Sequence, residues 1–345
     1  MMPVFLSVSA RVLVNLEALN MAESVGNVVR HRRAPVVIRR GDGFTLRYVP
    51  VISGESLAHH YQVLLAEIAR QRGIKVCKAC SQGVFLKHAN SDVFKKYDGI
   101  KDAKNAFKSA AEVERYVVEN CIVEDVGGFL YTDKTVKRTS RFRVGYMIPA
   151  LDALEAGAAA TEAQFHVRYS PGAQKEEQAI YYVEIGSAVY VFNYALDASA
   201  IGAYSSENEG VPENTKYILN AEERKRRIEA AVDALAALLG GMTWGAKTTR
   251  FQPHWKILSL VATVASPVAF NASPGHDKRY LVETFDRACN LSKIINGFNA
   301  SIIYYDGEGL DKPTVQEGCN IDLVEEKSYL GVISTAKQKL LERIH

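Results

Sequence analysis

The segment NAEERKRRIEAAVDALAALLGG, residues 220–241, constrains the fold of this 345-residue chain more than any other. Asn220 supplies a capping oxygen, Glu223 stands three residues on, and Gly240-Gly241 ends the helical pattern. A second helix is predicted over 53–73, with Ser53 as N-cap, Gly73 as stop, and Leu57, Tyr61, Leu64, Leu65 and Ile68 on its core face. Further helices are expected near KSAAEVERYVVEN, at 278–296 and at the C-terminus.

The remaining apolar segments read as strands. VFLSVSARVLVN (4–15) mostly alternates, and KILSLVATVA and ASIIYY are rich in β-branched residues. APVVI and FTLRYVPVI flank RRGDG, whose Asp42-Gly43 pair is a hairpin signal. SRFRVGYMIPAL reads as one strand and SAVYVFNYAL as another, while AQFHVRY and QAIYYVEI read as hairpin arms joined by the polar loop SPGAQKEE. Strands and helices mix without a regular βαβ period, which predicts an α+β fold with one core domain and insertions.

No apolar run is long enough to span a bilayer, and Arg11 and Glu17 interrupt the apolar N-terminus, so it does not read as a signal peptide. Five cysteines, an odd and sparse number, suit a reducing cytoplasm better than a disulfide scaffold.

The formal charge is only +3, yet charge is segregated. RHRRAPVVIRRGDGFTLR, residues 30–47, holds six arginines against one aspartate. Lys134, Lys137, Arg138, Arg141 and Arg143 form a second basic run with Phe142 and Tyr146 interleaved. A third combines Trp244, Lys247, Arg250, Phe251, Trp255 and Lys256 in a stretch, 234–276, that contains no acid. Acids gather at 303–326. Basic, glycine-bearing loops with aromatics suit a single-stranded polyanion, since phosphates need several donors along a track and bases need stacking surfaces. Each run taken alone reads equally as a solvated face, and each aromatic as a core residue.

Other chemistry is sparse. Cys77 and Cys80 in CKAC have zinc-ligand spacing, with His88 and Cys121 as the only completions, so the pair reads as a weak metal candidate or as ordinary thiols. His59 and His60 are neighbours whose side chains diverge on a helix; His60 falls on the core stripe and His59 is freer to face a ligand. No nucleophile elbow, P-loop or dinucleotide fingerprint is present, so no cofactor is expected.

SARVLVNLEALNMAESVGNVVRHRRAPVV followed by VPVISGESLAHHYQ resembles the start of the DevR-type Cas-seven family, backbone subunits of archaeal type I-A CRISPR Cascade complexes. ISGESLAHHYQ is also similar to a signature of the wider RAMP superfamily, and LGGMTWGAKTTRFQP to that superfamily's glycine-rich loop. The resemblance runs in order over most of the chain. It implies a modified RRM-like (ferredoxin-like) core with a helical insertion near 70–135, a thumb-like hairpin near 155–182 and a C-terminal insertion near 266–326.

It also implies a crRNA-binding subunit that oligomerises along the guide beside other Cascade subunits and presents the guide to target DNA. The implied RNA-backbone contacts are Asn20, Ser24, Asn27, Arg30, His31, Arg32 and Arg33, with Ser53, Gly54, Glu55, Ser56 and His59 beside them. His166 and Arg168 are the expected thumb contacts. No RRM stacking signature is present, which favours backbone gripping over base readout. The alternative is a RAMP-superfamily endoribonuclease acting on CRISPR RNA, with His31, His59, His166 or Asp42 as its acid/base groups.

Overall fold

The computed structural model describes residues 2–168, 179–241, 252–314, 318–319 and 321–344. Five strands precede the first long helix: β1 (Phe5–Glu17), β2 (Met21–Val25), β3 (Val28–His31), β4 (Arg33–Arg40) and β5 (Gly43–Pro50). Helix α1 (Gly54–Gln71) follows, capped by the Ser53 hydroxyl and stopped before Gly73, whose φ is +66°. Short elements come next: α2 (Lys78–Ser81), α3 (Ser91–Val93), α4 (Ala103–Ala106), α5 (Ala110–Asn120), α6 (Ile122–Gly127), β6 (Phe129–Tyr131), β7 (Val136–Arg138), β8 (Phe142–Val144), β9 (Ile148–Pro149) and α7 (Leu151–Glu155). The chain continues through β10 (Ala159–Arg168), β11 (Ala179–Asp197), α8 (Ala221–Gly241), β12 (His254–Ser266), α9 (Tyr280–Ile294), β13 (Asn299–Asp306), β14 (Asp322–Glu326) and α10 (Tyr329–Glu342).

One large mixed sheet runs β14-β13-β12-β1-β11-β3-β2, with β8, β9 and β10 also paired to β11. Strands β12, β1, β11 and the β8/β9 pair are antiparallel neighbours, while β13–β14 and β11–β3 are parallel. Helices α1, α8 and α10 pack over one face, where Leu6, Val8, Ala10, Val12 and Val14 of β1 meet Leu57, Tyr61, Leu65, Leu235, Leu238 and Leu340. Burying each such aliphatic side chain contributes about 1.5–3 kcal/mol. Helix α9 covers the other face at β12–β13, against Val261, Ala265, Ile302 and Tyr304.

The alternation of β1 therefore divides two interiors rather than core from solvent. Its other face is also buried, and its polar groups are used: Ser7 Oγ accepts from the Ala272 N–H (3.2 Å) and Ser9 Oγ from the Gly275 N–H (3.1 Å). Arg11 pairs with Asp152 and Glu308, both at 2.9 Å.

Four expectations change. SAVYVFNYAL is the second half of the 19-residue β11, continuous with the hairpin arm QAIYYVEI. SRFRVGYMIPAL breaks into β8 and β9 because Met147 turns to exchange both backbone hydrogen bonds with Ile52, at 2.9 and 3.0 Å. In the β4–β5 hairpin Arg40 pairs with Gly43, so the two-residue loop is Gly41-Asp42; Gly41 alone of the two has positive φ (+59°), which places glycine at the first central position. Cys289 and Cys319 form a disulfide between α9 and the loop before β14, which weakens the argument from cysteine count for a reducing compartment.

The acidic stretch is also largely committed inside the chain: Asp306 and Glu325 pair with Lys312, Glu308 with Arg11, and Asp322 with Lys339. Among the described residues no helix is long and apolar enough to cross a membrane.

Candidate nucleic-acid interface

The first arginine run is laid out on β3, β4 and β5, beside the β10–β11 hairpin. Two adjoining clefts result. One, of about 330 Å³, is lined by Ala22, Glu23, Arg30, His31, Arg33 and Glu184. The other, of about 380 Å³, lies between the β4–β5 hairpin and β10 and is lined by Arg33, Arg47, Tyr48 and Thr161 among others. Arg33 belongs to both clefts, and its Nη2 donates to Thr161 Oγ1 across them. Arg30 faces Glu23 at 3.9 Å with both side chains more than half exposed, a pairing too loose and wet to remove the guanidinium from use.

Ser24 and Asn27 are exposed at the β2–β3 turn, where the Asn27 carbonyl accepts from the Tyr182 N–H at 2.8 Å. His31 is different. It is only 3% exposed; its Nε2 meets Glu17 Oε1 at 2.5 Å and its Nδ1 meets the Arg32 carbonyl at 2.8 Å. Asn20, 1% exposed, accepts from the Ser53 N–H through Oδ1 (3.0 Å) and from the Arg32 N–H through its carbonyl (2.8 Å). Both are buried and held by partners within the chain, although His31 also lines the smaller cleft.

The start of α1 is built on that support. Ser53 Oγ accepts from the Ser56 N–H at 3.2 Å, and both serines are buried, so neither is the open surface contact expected. A Cβ on Gly54 would come within 2.9 Å of the Val144 carbonyl, so glycine here permits close packing against the β8–β9 link. Glu55 and His59 are exposed. The His59 ring sits edge-on to Phe85 at 5.1 Å, and burial with the neighbouring His60 charge pushes its pKa below the usual histidine value. Two buried polar atoms in this region, Ser56 Oγ and Arg32 Nε, have no hydrogen-bond partner among the described residues.

The second basic run does not join the first. Arg138 is buried (2% exposed) and bonded to Glu114 and Asp125, because the α5–α6 segment needs a cation between its carboxylates. Arg141 is half-buried and lines a cavity of about 900 Å³ with Asp197, Tyr204 and Lys216; burial and repulsion from Arg138 bring its pKa down to about 10. Lys137 and Arg143 are exposed, and Arg143 lines a separate cleft of about 410 Å³ with Asn193 and Arg287. Along β11, Arg143 lies opposite Ala195 and Arg168 opposite Ala179, a separation of roughly 50 Å at strand rise.

On the hairpin, His166 stacks on Tyr181 at 5.3 Å and Phe165 meets Tyr182 edge-on at 5.6 Å. Arg168 ends β10, and its side chain lies outside the described set; Trp244, Lys247 and Arg250 fall outside the described residues. Arg47, Tyr48 and Thr161 were absent from the sequence-derived set. The pairing of Pro35 with Tyr48 and of Val36 with Arg47 brings them beside Arg33, and that register follows from the hairpin already legible around RRGDG.

The profile of the family described as "CRISPR-associated negative auto-regulator DevR/Csa2" matches residues 8–284. The chain is 40% identical over 317 residues to the CRISPR-associated aCascade subunit Cas7/Csa2 2 of Saccharolobus solfataricus, covering 92% of this chain and 95% of that protein. It is 38% identical to the Cas7/Csa2 1 protein of the same organism, covering 87% and 92%. A chain from a solved CRISPR RNA-guided surveillance complex, pre-nicking, is similar over 97% of this chain and 99% of that one, at 11% identity and a TM-score of 0.48. On the profile match and the two relatives, the chain belongs to the DevR/Csa2 family of CRISPR-associated proteins.

Proposed function

We propose that this chain is a non-catalytic, guide-binding backbone subunit of Cascade. Copies of it line up along a crRNA together with other Cascade subunits and present the guide for pairing with target DNA. The relative named as an aCascade subunit supports that assignment. The observation that carries it is the pair of arginine-bearing clefts meeting at Arg33, which offers exposed guanidiniums from three strands to a phosphate track. Phosphate contacts fix register without reading sequence, as a protein serving any guide requires.

The finer fold reading is an RRM-like core. The path β1–α1–β8/β9–β11–α8–β12, with strand order β12-β1-β11-β8/β9 and α1 and α8 on one face, supports it. On this reading, 70–135 is a helical insertion, the β10–β11 hairpin is the thumb, and 266–326 is the C-terminal insertion. The same reading places the chain in the cytoplasm, which the Cys289–Cys319 disulfide does not favour.

Fluorescence anisotropy with labelled single-stranded RNAs of unrelated sequence, followed by a denaturing gel of the recovered RNA, tests the reading. Sequence-tolerant, salt-sensitive binding with intact RNA supports the scaffold. Reproducible cutting would replace it with the nuclease, and absence of binding at low salt would remove it.

A further inference from the structure

Cys77, Cys80 and Cys121 come together with Glu124 at the junction of α2 with α6, far in sequence from the arginine clefts. The three sulfurs and one Glu124 oxygen all lie within 4.8 Å of one another, and all four residues are buried. Cys77 Sγ is 3.3 Å and Cys80 Sγ 3.9 Å from Glu124 Oε1. A tetrahedral zinc with ordinary Zn–S and Zn–O bond lengths separates its ligand atoms by about 3.5–3.8 Å. The observed separations bracket that value.

The surroundings match a metal site rather than a chance group of thiols. Cys77 caps α2, and its sulfur accepts from the Cys80 N–H at 3.5 Å, which orients it toward the other sulfurs. Glu124 turns Oε1 toward the sulfurs, and His88 holds both carboxylate oxygens: its backbone N–H donates to Oε2 at 2.8 Å, and its Nδ1 lies 2.9 Å from Oε2. His88 Nδ1 lies 2.8 Å from Oε1, and its Nε2 faces Asp98 at 2.6 Å. His88 therefore fixes the carboxylate, and its bond to Oε1 uses one side of an oxygen that has a second lone pair for a metal. Lys87 donates from its ammonium to the Gly127 carbonyl at 2.7 Å, at the end of α6, the helix that carries Glu124.

We propose that Cys77, Cys80, Cys121 and the Oε1 of Glu124 form a closed structural site for a divalent thiophilic cation, zinc by chemistry, that pins the α2 turn to the start of α6. All four positions are protein ligands, so the site is structural and leaves no open position for substrate.

The test uses the full chain purified under reducing conditions, with metal content measured by elemental analysis. About one zinc per chain is expected. Cys80→Ser and Glu124→Gln should lower it at least tenfold, while Cys289→Ser, which removes only the disulfide, keeps it. Where Cys80→Ser fails to fold, cobalt exchanged into the unmodified chain provides the second readout. A thiolate-to-cobalt charge-transfer band with tetrahedral d–d absorption supports the site. Folded protein with less than a tenth of an equivalent of metal, as purified and after incubation with zinc, overturns it, as does an octahedral cobalt spectrum.

Discussion

Glu17 and His31 meet at 2.5 Å, Oε1 to Nε2, with neither side chain reaching solvent. Tyr190 donates to the same carboxylate oxygen at 2.8 Å, and the Leu19 N–H donates to the other at 2.7 Å. A Cβ on Gly186 would come within 2.8 Å of Glu17 Oε1, so the strand above must be bare at that point. This cluster ties β3, which carries the first arginines, to β1 and β11.

Replacing His31 with Gln should cost about 3 kcal/mol or more, because one partner of a buried pair is lost, measured by urea unfolding. The pair also has a pH signature. Burial alone would push the His31 pKa down, but the hydrogen bond and charge of Glu17 raise it above the ordinary value. A raised folded pKa gives stability that is complete below the unfolded value of about 6.5 and is lost as pH rises through the folded value. The unmodified chain should therefore lose stability as pH rises across that window, and His31→Gln should show a flatter dependence.

Arg138 and Arg33 should separate by what they damage. Arg138→Ala removes a buried cation bonded to both Glu114 and Asp125, leaving Glu114 the neutral donors Ser205 and Asn208 and Asp125 its pair with Arg227; it should cost about 3 kcal/mol of stability, with RNA affinity of the folded fraction unchanged. Arg33→Ala, at an exposed position, should leave stability within about 0.5 kcal/mol and weaken RNA binding. Thermal melts paired with anisotropy give both readings.

The contrast shows where the sequence is legible. Helix caps at Ser53 and Asn220, the β4–β5 hairpin and the long late helix follow from local patterns that the structure keeps. Which arginine is free does not. Arg33 and Arg138 sit in similar basic runs, and only tertiary pairing decides that one meets solvent and the other two carboxylates. Asn20 and His31 show the same limit: a polar residue in a conspicuous motif carries no sign in the sequence of the buried partners that hold it. The distance between Arg143 and Arg168 depends on the length of β11, whose two halves read as separate strands in the sequence.

Gly54→Ala should be destabilising by about 1–3 kcal/mol, since its Cβ would press on the Val144 carbonyl, a backbone atom with little room to yield. Scanning calorimetry checks it, and Gly145→Ala, where an added Cβ meets nothing within 4 Å, is the matched control.

Tyr48 is 68% exposed and lines the cleft with Arg33 and Arg47, a placement that suits base stacking. Tyr48→Ala should weaken single-stranded RNA binding by about 1–3 kcal/mol with little change in its salt dependence. Tyr48→Phe, which keeps the ring, should retain affinity in the same titration.

The most direct measurement is the slope of log affinity against log salt for single-stranded RNA, compared between the unmodified chain and an Arg30→Ala/Arg33→Ala/Arg47→Ala variant. Each lost phosphate contact should reduce the slope by about 0.7, so the triple change should reduce it by about 2. An unchanged slope in a folded variant would contradict the assignment of these clefts to the guide backbone.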